Sequence, residues 1–336
     1  MSITIAKKGH SKSILLIWEY LALIHDALQK TDESQASLYD RPSEGLYENA
    51  ASTFAASGRE DHLVFGILAE MEREGYAPSR SFLIRLASSL RTRSSVRRLG
   101  HAMHIIRNSY ANSQDEVEER GNGENKGEEE GIALKPTTSG LNIILAGYAD
   151  FGFSTNAMNV YHEFEQLECI PDENTYSFLM DSIYMDISTA IPPKTRDTGR
   201  GNEMKFDDTT PSDYSSIDDE MITWFNTRIE AADTIFEAAI EMGHGADEFL
   251  IHSYLKILCI KGDLEKALCL IDEMFENRER ISQSTLGILA MSYAERGNFE
   301  IVDDILLMSS NQAGGENGLP RHMVERIEIL KKNTIM

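Results

Sequence analysis

Apolar residues in this chain recur at helical spacing, and they do so in pairs of segments. In 137–171, Leu141, Ile144, Leu145 and Tyr148 fall at i, i+3, i+4 and i+7, and Ala157, Val160, Tyr161 and Phe164 repeat the pattern after a short break. Gly152 sits in that break, where a left-handed residue can end the first helix. Pro171 stops the second helix, and Asp172 is placed to cap the next one. No stretch alternates with period two, so strands are not expected. The pattern predicts an all-α chain of helix–turn–helix units.

The units repeat. Residues 137–171 and 247–281 share a first apolar helix, a glycine at the sixteenth position (Gly152, Gly262) and an alanine at the twenty-first (Ala157, Ala267). Ser282 opens a further copy with Gly297 at the same place, Asp172 opens another, and AEMEREGYAP (69–78) matches the helix end at 163–171. Unit starts fall at Glu44, Ser79, Thr137, Asp172, Asp247 and Ser282, with offsets of 35, 58, 35, 75 and 35 residues. The two long intervals exceed the period by 23 and 40 residues, and each contains a stretch that lacks periodicity: 111–133, and about 187–220. Both are polar and rich in Gly or Pro, as expected of disordered insertions in surface loops, where added length costs little closure entropy. About six stacked units make an α-solenoid, each unit burying its apolar face on its neighbours.

The expected organisation follows: an N-terminal helix and connecting segment at 1–43, and two degenerate repeats at 44–110. An acidic insertion occupies 111–136, and a repeat plus the next first helix occupy 137–186. The second insertion spans 187–220, the remaining repeats 221–316, and a C-terminal capping helix 317–336.

Composition changes the picture in one respect. The 336 residues carry 55 acids and 32 bases, a net charge of −23, which opposes long-range attraction to a phosphate backbone. The first insertion holds eight acids and two bases between Ser113 and Gly131, and the second nine acids and four bases between Asp186 and Glu220, so together they supply −11 of the −23. Residues 79–110, in contrast, hold seven arginines and no acid. Arg80, Arg85, Arg91, Arg93, Arg97 and Arg98 are the candidate phosphate contacts, with Arg107 further along. A solvated basic face paired with the acidic insertion reads the same residues differently.

The wording of the units, "NIILAGYADFG", "NAMNVYHEFEQLECIPDENTYSFLMDSI" and "LKILCIKGDLEKALCLIDEM", resembles the pentatricopeptide repeat family over about 44–316 without the insertions. That resemblance implies a right-handed α-α superhelix that binds single-stranded RNA, one base per repeat, on the surface lined by first helices. It also implies that the sixth residue of a unit and the first of the next form a base-reading pair. Carried onto this chain, Asn142 with Asp172 favours uracil and Ser177 with Asp247 favours guanine, while Asn49 with Ser79 is a weaker reader. His252 with Ser282 and Ile84 with Thr137 depart from the family's preferred pairs, and Gly287 offers no side chain. Asp172 and Asp247 also stand where helix N-caps belong, which needs no ligand to explain them.

No catalytic constellation is legible, and a non-enzymatic protein without cofactor or metal is expected. Phosphate-binding glycine loops, HExxH and nucleophile-elbow motifs are missing. His101 and His104 share a helix face but have no third ligand near in sequence, and Cys169, Cys259 and Cys269 lack the paired spacing of zinc or disulfide sites. Near the N-terminus, Lys7, Lys8 and Lys12 precede a short apolar run broken by Glu19, which reads as a first amphipathic helix from Ser13 to about Gln29. The expected partner is a short single-stranded RNA, with no membrane and no small-molecule substrate. The alternative is an interaction scaffold that takes other proteins in the concave groove. By resemblance the compartment is mitochondrial or plastid, and otherwise cytoplasmic; the expected role is in RNA processing, stability or translation.

Overall fold

The computed structural model describes residues 43–57, 61–90, 99–108, 136–190, 219–245, 247–277, 279, 281–312 and 318–335. The expected helix at 13–29 lies outside them. Among the described residues all regular structure is helical, and it forms six pairs followed by one further helix. The pairs are α1 (Glu44–Ser57) with α2 (Asp61–Arg73), and α3 (Arg80–Leu90) with α4 (99–108). Next come α5 (Thr138–Ala149) with α6 (Ser154–Gln166), and α7 (Glu173–Ala190) with α8 (Asp219–Glu241). The last two are α9 (Glu248–Lys261) with α10 (Leu264–Glu276), and α11 (Gln283–Ala294) with α12 (Phe299–Gln312). A final helix, α13, spans Arg321–Ile335. The chain divides into two compact units, 1–178 and 179–336. Within the first unit α1 packs on α3 and α3 on α5; within the second α9 packs on α11 and α11 on α13. First helices therefore stack on first helices, the all-α helical-repeat architecture that the sequence predicts.

Each first helix starts for a local reason. The hydroxyls of Ser79, Thr137 and Ser282 accept from the backbone N–H three residues on, at 3.3, 3.1 and 3.1 Å. The carboxylates of Asp172 and Asp247 do the same at 2.9 and 2.8 Å. Such a cap satisfies one of the donors that a helix N-terminus leaves without an intrahelical partner. The turn after the first helix is equally regular. Gly152, Gly262 and Gly297 adopt φ of 67°, 89° and 76°. The next residue's N–H then closes on the carbonyl five residues back: Phe153 to Tyr148 at 3.1 Å, Asp263 to Leu258 at 3.0 Å, Asn298 to Tyr293 at 3.1 Å.

Two boundaries differ from expectation. The first described unit opens at Ser43 and not at Glu44, since α1 begins at Glu44 and the Ser43 carbonyl accepts from Leu46 N–H at 2.8 Å. This register puts buried Tyr47 at the fifth position, where Leu83, Leu141, Tyr176, Ile251 and Leu286 are also buried. The second insertion cannot begin at 187, because α7 runs on to Ala190 with Ile187 in the core.

Candidate nucleic-acid interface

The positions expected to read bases are the sixth residues of the first helices, and they split into sealed and accessible ones. Asn142 is 0% exposed and Ser177 1%. Asn142 belongs to a closed polar triad. Its Nδ2 donates to Asp172 Oδ1 at 2.8 Å, and its Oδ1 accepts from Thr175 Oγ1 at 2.8 Å. Thr175 is itself held by the Asp172 backbone N–H, which donates to Oγ1 at 3.0 Å. Asn142 is polar among apolar neighbours because it links two repeats, so its side chain is spent inside the fold and does not stand ready for a base. Ser177 is buried in the first compact unit and Asp247 caps α9 in the second.

Asn49 is also displaced from the expected role. With the unit opening at Ser43 the sixth residue is Glu48, and Asn49 turns back on its own helix, donating to Gly45 O at 2.6 Å. Ser79, its expected partner, caps α3 and lies 3.2 Å from Ser81 Oγ. The sixth residue of the next unit, Ile84, is 38% exposed.

His252 is different. It is half-buried, and its Nδ1 lies 2.9 Å from Thr285 Oγ1, which in turn lies 2.7 Å from Ser282 Oγ. This is the Asn142–Asp172–Thr175 arrangement again, built from the sixth residue of one unit and the first and fourth of the next. Burial, reinforced by the Lys256 charge, holds the His252 pKa down at about 4, so the ring is neutral at physiological pH.

Around His252 the face of α9 carries an aromatic and a basic side chain. Phe249, His252 and Lys256 follow at i, i+3 and i+7, and Phe249 is 52% exposed. Lys256 Nζ sits 4.6 Å from the ring centroid of Tyr184 on α7. Burial lowers the Lys256 pKa while the Asp181 charge opposes that effect. Asp181 accepts from the Ser253 hydroxyl. A half-exposed aromatic side chain, a neutral imidazole and a lysine thus share one helix face.

At the next position, Gly287 has a structural reason for lacking a side chain. A β-carbon there would come within 2.3 Å of Met323 Sδ, so α13 packs on the bare backbone of α11. The position is closed by the C-terminal helix.

Of the candidate phosphate contacts, Arg80 stacks its guanidinium 4.2 Å above the Phe178 ring. Arg85 has a side chain 59% exposed, with Nη2 3.5 Å from Glu48 Oε2. Arg107 is paired with Glu163, Nε donating to Oε2 at 3.1 Å. Arg91, Arg93, Arg97 and Arg98 lie outside the described residues. Among the described residues no group of three His, Cys, Asp or Glu side chains is placed to hold a metal, and His104 Nδ1 lies 2.9 Å from Asn108 Nδ2. No helix among them is long and apolar enough to cross a membrane.

Sequence reasoning missed Thr175 and Thr285, although a threonine at the fourth place of two units was there to be read. It also missed Phe249 and Lys256, whose helical spacing from His252 is the available signal.

No protein-family profile and no curated protein matches the chain. Among solved structures it is similar to the crystal structure of the pentatricopeptide repeat protein PPR10 from maize, with 13% identity and a TM-score of 0.31, covering 99% of this chain and 47% of that one. It is also similar to PPR10 in complex with an 18-nt psaJ RNA element, with 14% identity and a TM-score of 0.29 over 90% of this chain and 46% of that one. The chain spans about half the length of the structures it matches.

Proposed function

We propose that this chain is a non-catalytic helical-repeat protein that binds a short single-stranded RNA through its second compact unit, acting in organellar RNA processing, stability or translation. The observation that carries this reading is the face of α9, where Phe249, His252 and Lys256 line up, with Lys256 beside Tyr184. Each group has a distinct task. Exposed aromatic rings stack on unpaired bases, typically for about 1–3 kcal/mol per base. An ammonium group beside an aromatic face meets a phosphate. A half-buried imidazole held from behind presents one edge to a base. The triad seals the position of Asn142 and the methionine covers that of Gly287, so neither is open to a base and the footprint is short.

Fluorescence anisotropy with a pool of short single-stranded RNAs, run from about 50 to 200 mM salt, tests the reading through the expected fall in affinity with salt. Lys256→Ala should weaken all sequences alike and reduce the log–log salt slope by about 0.7, the value for one phosphate contact on a single strand. Failure to bind at about 50 mM salt would leave the interaction-scaffold reading, which the burial of Asn142 and Ser177 favours.

A further inference from the structure

The two polar triads differ in one residue, and the difference decides what His252 can recognise. In the first, Asp172 can only accept hydrogen bonds, and its Oδ1 already takes the Thr175 N–H at 2.9 Å and Asn142 Nδ2 at 2.8 Å. The Thr175 hydroxyl proton is therefore assigned to Asn142 Oδ1, at 2.8 Å the shorter of its two contacts to an acceptor. In the second, Ser282 replaces the aspartate and its hydroxyl can donate. Ser282 Oγ lies 2.7 Å from Thr285 Oγ1 and 2.9 Å from Ser284 Oγ. A relay running Ser284 to Ser282 to Thr285 to His252 keeps the direction assigned to the first triad.

We infer that Thr285 is a positioning residue whose hydroxyl donates to His252 Nδ1, holding the imidazole as the Nε2–H tautomer and making the outer ring edge a hydrogen-bond donor that selects keto bases over amino bases. The inference rests on the RNA-binding reading and names the base class for its site. Uracil and cytosine differ at the 4-position, oxo against amino, and at N3, which carries a proton in uracil and a lone pair in cytosine, so a donor aligned on the 4-position tells them apart. A fixed N–H donor pairs with the oxygen, whereas against the amino group two donors face each other and both lose their water. Lys256 stands one turn along the same helix and opposes protonation of the ring, so the second nitrogen does not gain a proton and blur the distinction.

Long-range 15N-edited NMR of the imidazole in the full chain, together with binding to U12 and C12 oligonucleotides, tests this. The expected result is a single Nε2–H form for His252 at neutral pH and U12 bound roughly fivefold more tightly than C12, the size of one neutral hydrogen bond. Thr285→Val keeps the side-chain shape and the backbone N–H that Ser282 caps; it should mix the tautomers and bring the two affinities within about twofold. Thr285→Ser should retain both properties. A dominant Nδ1–H form in the wild type, or a U12 preference that survives in Thr285→Val, overturns the inference. Absence of binding to both oligonucleotides at about 50 mM salt overturns it together with the RNA reading. The NMR spectrum needs no RNA and separates that failure from a wrong tautomer.

Discussion

Replacing Asn142 by alanine sets the structural role of this residue against the base-reading role that its position implies. Asn142 is fully buried and makes one hydrogen bond to a carboxylate and one from a hydroxyl, both at 2.8 Å. A bond to a charged acceptor contributes about 1.5–3 kcal/mol and a neutral one about 1. Truncation also leaves the Thr175 hydroxyl without its inter-repeat acceptor. The expected cost is therefore about 3 kcal/mol. Thr175→Val, which strips the donor from Asn142 Oδ1, should cost about 2 kcal/mol, and the double variant should cost about 1 kcal/mol less than the sum because both changes remove the same bond. Amide hydrogen exchange followed by mass spectrometry localises the effect. Peptides from α5 should exchange on the order of 100-fold faster in Asn142→Ala, while peptides from α9 in the other compact unit serve as an internal reference. Protection of α5 within about twofold of wild type, corresponding to less than about 0.5 kcal/mol, would refute the claim that the triad ties the repeats together.

Other consequences follow from the same geometry. Glu168 adopts φ 54° at the turn after α6, where the equivalent turns use Gly75 (φ 81°) and Gly243 (φ 82°). Glu168→Gly should raise stability by about 1 kcal/mol, read as a higher denaturant midpoint at unchanged slope. Gly287→Ala drives a methyl into Met323 Sδ and should destabilise the packing of α13 by about 1–3 kcal/mol, with Met323→Ala restoring part of the loss; additive costs in the double variant would contradict the contact. His252 has its pKa lowered to about 4, below the value near 6.5 of an unfolded chain. The unfolded state then binds more protons between these values, so this contribution is fully present above about pH 6.5 and is lost as pH falls toward 4. His252→Gln should flatten stability against pH across that window, and an unchanged slope would contradict the burial of the ring.

The sequence alone determined the period, the helical class and the local punctuation, because these depend on interactions within one or two turns of chain. A serine, threonine or aspartate caps the helix that begins beside it, as at Ser79, Thr137, Asp172, Asp247 and Ser282. A glycine ends the helix that precedes it, as at Gly152, Gly262 and Gly297. Even there, one of the two weak units slipped by one residue, since the beginning of α1 and the packing of Tyr47 are what distinguish a start at Ser43 from one at Glu44. What the tertiary structure decided is which polar side chains remain available. Asn142 and His252 occupy the same place in their units and both contact a threonine of the following repeat. One is wholly buried against Asp172 and the other is only half-buried. Spacing along a helix specifies the face on which a residue lies. Exposure depends on how closely the next repeat packs against that face, and that closeness is set by side chains some 30 residues away, at Thr175 and Thr285, and by Met323 of the last helix over Gly287.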